Sequence, residues 1–144
     1  MFQKILVPFD GSKLAATILP EVVELAKTHR SKVTLMYVSR AMEILDAPAL
    51  GVAETVDDDA KAAEEFLSAK AKEFTAQGVT TDWVRLEGIP ARGIVGFAQK
   101  NGYDLIAMAT HGRGEVAWVL GSVAEKVVTH ATVPVLLFRT RAPG

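Results

Sequence analysis

Several features that mark common protein classes are missing from this chain of 144 residues. Cysteine is absent, which excludes disulfides, thiol catalysis and cysteine-ligated metal sites and fits a reducing compartment. Sixteen Lys and Arg balance seventeen Asp and Glu, so no strong field points to nucleic acid or an anionic membrane. No apolar run could span a bilayer, and the start meets Asp10 too early for a signal peptide. We therefore expect a cytoplasmic protein with no nucleic-acid and no membrane partner.

The named nucleotide and hydrolase motifs are missing as well. No GxxxxGK[ST] is present, no GxGxxG follows the first apolar run, and no GxSxG occurs. His29, His111 and His130 lie far apart in sequence and form no HExxH-type pair, so we expect no metal site. Because nothing resembles a nucleophile with its base, we also expect no catalytic residue.

What the chain does have is a regular alternation of β-rich runs and segments with helical spacing. The predicted strands are Lys4 to Phe9, Lys32 to Ser39, Thr80 to Leu86, Asp104 to Ala109 and Val133 to Arg139. With helices between them, this order predicts a single α/β domain over residues 1–144, with an open parallel five-stranded sheet, helices on both faces and a Rossmann-like architecture. The partly polar alternation of the third strand suits an edge. Ligands of such sheets bind beyond the carboxyl ends of the strands.

Local signals predict how the first helix begins and bends, and how the third helix packs. Ser12 is expected to cap the first helix, and Pro20 inside it is expected to cause a kink near Ala16. In the third helix, Gly93 and Gly96 are each expected to permit close packing.

The region before the second helix lacks clean periodicity. Arg40 to Val56 is predicted to be a loop, serving as a lid or as a partner surface. Asp57, Asp58 and Asp59 follow it and could ligate a cation, but acidic residues at a helix start also complement the helix dipole, and we favour that interpretation.

The stretch from Met108 to Val123 carries the most specific chemistry. A buried-looking strand runs into a Gly-rich turn at His111 to Gly114, and Gly121 with Ser122 then precedes a helix. Glycines and a helix start present backbone N–H groups, so this stretch could cradle a phosphate, or the glycines could serve the turn alone. Ser122 to Glu125 also fits a capping box, in which the Ser122 hydroxyl bonds the N–H of Glu125.

Three side chains near these strand ends have two interpretations each. Asp10 could accept hydrogen bonds from an adenine amino group or a ribose hydroxyl, or form an Asx turn. Arg113 could neutralise terminal phosphates or lie in solvent. His111 could donate to a phosphate, although a lone histidine in a turn is more often structural.

Three segments together resemble the universal stress protein family, and the resemblance covers essentially the whole chain. They are KILVPFDGS at the start, MATHGRG followed by GSVAEKVV, and the closing VPVLLFR. ATP-binding members of the family carry Gly-x-x-Gly, nine residues, then Gly-Ser or Gly-Thr. Carried over residue by residue, Ala109 takes the place of the first glycine, Gly112 that of the second, and Gly121 with Ser122 form the final pair.

Two departures from that pattern bear on the phosphate loop. Ala109 replaces a glycine, which is tolerated at an extended strand end but costly where φ must be positive. Only eight residues, Arg113 to Leu120, separate Gly112 from Gly121. The missing residue falls in the turn before Trp118. We expect the shorter loop to affect affinity and phosphate number more than binding itself.

The resemblance implies a nucleotide site between the first and fourth strands of a sheet with order 3-2-1-4-5. It implies that Asp10 recognises the nucleoside, that the turn at Gly112 and the helix start at Ser122 hold phosphate, and that Arg113 balances charge. The full set that it implies for nucleotide binding is Pro8, Asp10, Val38, Met108, Ala109, His111, Gly112, Arg113, Gly121, Ser122 and Val123. It also implies a homodimer through the last strand, Val133 to Arg139.

These residues and the resemblance lead to two functions from different classes. The first is a stress-response regulator or sensor that binds ATP, AMP or cyclic AMP, with Mg²⁺ beside the phosphates and at most slow ATP hydrolysis. The second is a dimeric interaction module of the same fold that works without nucleotide, which the shortened spacing and Ala109 favour. The sequence names neither the stress nor the downstream partner.

Overall fold

The computed structural model describes residues 1–9, 16–39, 50–111 and 120–139, with the side chains of residues 50–59 outside the description. The strands are β1 (Lys4–Phe9), β2 (Lys32–Ser39), β3 (Thr81–Glu87), β4 (Leu105–Ala109) and β5 (Val135–Phe138). The helices are α1 (Leu19–His29), α2 (Leu50–Ala76), α3 (Pro90–Lys100) and α4 (Ser122–His130). Every strand pairs in parallel with its neighbours, in the order β3-β2-β1-β4-β5. The predicted α/β fold and strand order are confirmed, and β3 lies at an edge.

The sheet separates two hydrophobic clusters, because successive side chains of a strand point to opposite faces. On one face, Ile5 and Val7 of β1 pack with apolar residues of α1 and α2. On the other face, Leu6 packs with residues of α3 and α4, including Ile94 and Val127. All five of these side chains are almost fully buried. The central strand is therefore covered on both sides, as its uninterrupted apolar sequence predicts.

The kink that Pro20 predicts near Ala16 is present as a break in the helix. Ala16 is helical, Thr17 and Ile18 form a turn, and α1 begins at Leu19 with Pro20 in its first turn. The missing proline N–H falls where a helix start leaves it unpaired in any case, so the helix restarts there instead of running through. The proposed cap, Ser12, lies outside the described residues.

The loop predicted from Arg40 to Val56 is also wrong in its second half, because α2 already begins at Leu50. Asp57, Asp58 and Asp59 therefore lie within the helix and not at its start, which removes the dipole interpretation for them. The loop prediction depended on missing periodicity alone, whereas Ala, Leu and Glu favour a helix without an apolar stripe. Residues 40–49 and the aspartate side chains lie outside the description.

The start of β4 is one residue later than predicted, because Asp104 has a different role. Its carboxylate accepts hydrogen bonds from the N–H groups of Gln3 and Lys4, each at 2.9 Å. The Asp104 N–H in turn donates to the Lys4 carbonyl at 3.0 Å. These bonds fix the amino end of β1 against β4, at the sheet edge opposite the predicted ligand site.

Candidate nucleotide site

β1 and β4 are neighbours in the sheet, but they are paired over only part of their length. β1 pairs with β2 from Lys4 to Phe9, whereas its register with β4 joins only Ile5 to Leu105 and Leu6 to Ile106. Both strands continue beyond these pairs in the carboxyl direction. The strands stay side by side, but the backbone ladder has a gap along their carboxyl halves, at the point where the strand order reverses.

Pro8 explains why the pairing ends there. The Lys32 N–H donates to the carbonyl of Gln3, the residue just before β1, and the Asp104 N–H donates to the Lys4 carbonyl. Since peptide groups alternate sides along a strand, even-numbered residues of β1 face β4. Pro8 is the next of these after Leu6 and has no N–H to donate. A proline in the central strand thus ends the ladder at the edge of the sheet where the site is predicted.

Three predicted site residues lie on one face of the sheet. Val38 and Met108 are 8% and 6% exposed and belong to the cluster beneath α3 and α4. Pro8 is buried and, by the alternation along β1, its side chain lies on the same face as that of Leu6. The side chain of Ala109 belongs to the cluster on the opposite face. The structure therefore brings Pro8, Val38 and Met108 to one side of the sheet and separates Ala109 from them.

The start of α4 is attached to the end of β4. The Gly121 N–H donates to the Thr110 carbonyl at 3.0 Å, and the Thr110 N–H donates to the Phe138 carbonyl at 2.9 Å. Thr110 is itself buried. These two bonds hold the first turn of α4 at the carboxyl edge of the sheet, beside the gap between β1 and β4.

The predicted capping box at Ser122 is wrong. Gly121 is the N-cap of α4, Ser122 is its first helical residue, and no side chain caps the helix. The first bond within the helix runs from the Glu125 N–H to the Gly121 carbonyl at 2.8 Å. The N–H groups of Ser122, Val123 and Ala124 precede that bond, so they are donors at the positive end of the helix dipole.

The side chains around the start of α4 differ in how far they are exposed. The side chain of Ser122 is exposed, and Val123 is half-buried against the cluster beneath α3 and α4. His111 is half-buried, with its Nδ1 atom 2.9 Å from the Thr110 hydroxyl oxygen. Backbone donors, a hydroxyl and an imidazole together match the oxygen atoms of a phosphate.

The replacement of glycine by Ala109 causes no strain. Ala109 is the last residue of β4 and pairs with Phe138, so its backbone is extended. Among the described residues, only Phe2 and Arg30 combine a side chain with a positive φ. Of the other predicted site residues, Asp10, Gly112 and Arg113 lie outside the described ranges.

The comparisons with known proteins agree with this fold. Residues 1–139 match the sequence model of the universal stress protein family. The chain belongs to the universal stress protein family.

This universal stress protein is 34% identical over 141 residues to a universal stress protein of Methanocaldococcus jannaschii, which covers 96% of this chain and 83% of the relative. The solved structure of the universal stress protein UspA from Lactobacillus plantarum is similar at a TM-score of 0.85 and 27% identity, over 96% of this chain and 98% of that one. A universal stress protein from Archaeoglobus fulgidus, solved in complex with dAMP, shares the fold at a TM-score of 0.68 and 22% identity, over 95% and 98% of the two chains.

Sequence reasoning missed two features of this universal stress protein. Thr110 was not singled out, although a polar residue directly after a buried strand is a signal for the strand end. The second feature lies at the ends of β2 and β3, where Arg85 Nε donates to Glu64 Oε1 at 2.7 Å and Arg85 Nη1 donates to Ser39 Oγ at 3.2 Å. The hydrogen bond to Glu64 raises the pKa of Arg85 above its ordinary value. Arg85 thereby connects α2 to the carboxyl edge of the sheet.

The described part of this universal stress protein contains neither a candidate membrane span nor a candidate metal cluster. Among its described helices, none is both long and apolar enough to cross a membrane. Within the same residues, no three His, Asp or Glu side chains are grouped so that they could hold a metal ion.

Proposed function

We propose that this universal stress protein binds an adenine nucleotide, with ATP as the expected ligand, and acts as a regulator of the stress response. The observation that supports the site most directly is the gap between β1 and β4 beside the first turn of α4. A gap at the point where strand order reverses is the usual ligand position of such sheets. The relative solved with dAMP supports the choice of an adenine nucleotide.

The described residues suggest how the ligand is oriented. The buried apolar side chains of Pro8, Val38 and Met108 suit a flat aromatic base. The N–H groups of Ser122 and Val123 suit phosphate oxygens, and a neighbouring helix dipole favours their negative charge. The base would therefore lie towards α3 and the phosphates towards α4.

The remaining predicted residues complete this proposal. We assign nucleoside recognition to Asp10 and charge balance to Arg113, with Gly112, Gly121, Ala109 and His111 around the phosphates. Mg²⁺ would be held through phosphate oxygens and water, as is usual for this ion. Backbone donors hold phosphate without activating a water molecule, so we propose binding with at most slow hydrolysis.

The outer edge of β5 supports the proposal of a homodimer. The Ile106 N–H donates to the Pro134 carbonyl and the Thr110 N–H to the Phe138 carbonyl. Even-numbered residues of β5 therefore face β4, and the peptide groups of Val135 and Leu137 face outward. β5 contains only apolar residues, VLLF, and Leu136 is 36% exposed. A second copy that covers this edge would remove an aggregation-prone surface in the reducing cytoplasm where we place the protein.

Calorimetric titration of ATP and Mg²⁺ into the purified protein tests the nucleotide site. Ser122→Asp places a negative charge where the phosphates are proposed to bind, while an acidic residue in the first turn still suits the helix. Ser122→Asn is the matched neutral control. We expect Ser122→Asp to weaken ATP binding about tenfold more than Ser122→Asn, because like charges repel at this distance.

Three results would count against the proposal in different ways. Equal ATP affinities of the two variants would show that the phosphates bind elsewhere. Equal sensitivity of ATP and adenosine to Ser122→Asp would show that the effect is not on the phosphates. If the wild type neither binds ATP, AMP or cyclic AMP nor releases nucleotide on denaturation, the nucleotide-independent dimeric module is the better description.

A further inference from the structure

At the opposite edge of the sheet, β3 lies beside the carboxyl-terminal half of α2. A shallow groove of about 580 Å³ runs between them. It is lined by Ser68, Ala71, Lys72, Thr75, Ala76, Thr81, Asp82 and Trp83. The groove is distant along the sheet from the gap between β1 and β4, because β2 and β1 separate the two.

The outer side of β3 can form a backbone ladder. The Val33 N–H of β2 donates to the Thr80 carbonyl, so even-numbered residues of this segment face β2. The N–H and carbonyl groups of Thr81 and Trp83 therefore face outward. In the described sheet β3 has β2 as its neighbour on one side and no strand on the other. Such an edge is a template for an additional extended strand.

Apolar surface adjoins these outward backbone groups. The Trp83 side chain is 38% exposed. It lies on the same face of β3 as Arg85, which contacts Glu64 of α2, so Trp83 borders the groove on the side of that helix. The helix contributes mainly small side chains, such as Ala71 and Ala76, that leave room for a side chain of a partner. An exposed tryptophan beside a groove is a common anchor in protein recognition.

The charges that line the groove indicate what kind of segment it accepts. Asp82 is already engaged, because it lies 3.4 Å from Lys32 Nζ and accepts a hydrogen bond from the Thr34 hydroxyl. Lys72 is exposed, and no carboxylate of the described side chains lies within ion-pair distance of it. The lining thus offers one cation without a counter-charge among the described side chains, which favours an acidic partner.

The charged residues that protect the other half of the edge do not reach this part. Arg85 bonds to Glu64 at 2.7 Å and lies 3.5 Å from Glu87, so these charges neutralise one another near the carboxyl end of β3. Charged residues are a usual protection of edge strands against pairing. Thr81 and Trp83, whose backbone groups face outward at the amino end, carry no charge. The charge of Asp82 between them is paired with Lys32. Strand addition is therefore favoured at the amino end of β3, where the groove lies.

We propose that β3 and α2 form a docking groove for an extended acidic segment of another protein, which adds to the outer edge of β3. One apolar side chain of the segment packs against Trp83 and Ala76, and a carboxylate next to it pairs with Lys72. The contact covers a few residues, so the complex is weak and transient. This proposal does not depend on nucleotide binding.

Fluorescence anisotropy with labelled peptides tests the proposal on the full chain. The probes are acetylated hexapeptides Thr-Val-X-Val-Thr-Val in which X is Glu, Gln or Lys, because this pattern favours an extended strand. We expect the Glu peptide to bind about fivefold more tightly than the Lys peptide. Methylation of alternate backbone nitrogens should reduce its affinity by a similar factor, because it removes donors of the added strand.

Charge reversal locates the contact. Lys72→Glu should reverse the preference, so that the Lys peptide binds more tightly than the Glu peptide. Lys61→Glu makes the same charge change on an exposed residue of α2 outside the groove, and should leave the preference unchanged. Thermal unfolding of both variants shows whether they are folded.

Four results with the peptides would overturn the proposal. They are no saturable binding of any of the peptides up to about 1 mM, no effect of backbone methylation, no reversal in Lys72→Glu, and the same reversal in Lys61→Glu. Sedimentation under the same conditions detects self-association. If the chain self-associates and Trp83→Asp abolishes this without loss of folding, a second copy occupies the groove and the proposal is wrong.

Discussion

A β-carbon on Gly93 would lie 3.4 Å from Cγ2 and 3.5 Å from Cγ1 of Val38. Gly93 is in α3 and Val38 is near the end of β2, so the helix lies one side-chain contact away from the sheet beside the proposed nucleotide site. The same construction at Gly96 meets nothing within 4 Å. The prediction of close packing is therefore wrong for Gly96, whereas Gly93 lies near Val38 with room for a β-carbon.

This difference predicts unequal effects of two matched substitutions. Gly96→Ala should increase the free energy of unfolding by about 0.5 to 1 kcal/mol, because alanine has the higher helix propensity. Gly93→Ala has the same intrinsic gain and adds a β-carbon at van der Waals distance from Val38, so its net gain should be larger. Urea denaturation measures both variants. Equal stability of the two would contradict the packing of Gly93 against Val38.

The exposed edge of β5 predicts a change in oligomeric state. Leu136→Glu places a charge on the apolar edge proposed to join two copies, and should convert a dimer to a monomer. Ile89→Glu is a suitable control, because Ile89 is 55% exposed and lies at the start of α3. Analytical ultracentrifugation distinguishes the species. A dimer that persists in Leu136→Glu would exclude β5 as the interface.

The Asp104 carboxylate accepts two backbone hydrogen bonds, so we expect its removal to decrease stability. Asp104→Ala removes the partner of the Gln3 and Lys4 N–H groups, and should decrease the free energy of unfolding by about 1 to 2 kcal/mol. Asp104→Asn keeps one carbonyl acceptor and should lose less. Urea denaturation measures both. We expect ATP affinity to be unchanged, since these bonds lie at the opposite end of the strands, and a large loss would contradict that separation.

Tyr103 predicts a loss of stability at alkaline pH. Its hydroxyl donates to Thr34 Oγ1 at 2.7 Å, and burial raises its pKa above the ordinary value of 10.0. The unfolded chain then loses this proton at lower pH than the folded one, so the contribution to stability is complete below pH 10.0 and is lost as pH rises through the folded-state pKa. Tyr103→Phe should therefore show a weaker decrease of unfolding free energy above that pH.

The control for this effect is the wild type measured in parallel, so that only the difference between the two alkaline profiles is assigned to Tyr103. At neutral pH, Tyr103→Phe should lose about 1 kcal/mol through the missing hydrogen bond. Identical alkaline profiles of the two proteins would show that Tyr103 ionises equally in the folded and unfolded chains.

The sequence predicted the strands more reliably than the helix starts. The runs that became β1 and β2 are apolar on both faces, and their order alone predicts a parallel sheet. The start of α2 at Leu50 was missed because helix formation there does not depend on an apolar stripe. Pro20 did predict the interruption after Ala16, because a proline lacks the N–H that a continuous helix needs, and the structure adds that Pro20 lies in the first turn of the helix that follows.

For the candidate site too, the sequence indicated some features and missed others. Sequence resemblance indicated Pro8, Val38 and Met108, and it could not say that their side chains share a face. The capping-box pattern also assigned the N-cap of α4 to Ser122, whereas the bond between Gly121 and Thr110 makes Gly121 the N-cap. A hydrogen bond between residues that are distant in the chain has no local signal.

By itself, the sequence determined the class of fold and the family, because apolar periodicity and the positions of glycines are visible within each segment of the chain. The tertiary structure decided where the pairing of β1 with β4 ends, since that depends on which neighbour the missing N–H of Pro8 faces. It also decided that Lys72 and Trp83 border one groove, because α2 and β3 meet only when the sheet is assembled. Contacts of this kind arise from packing between segments, which no single segment specifies.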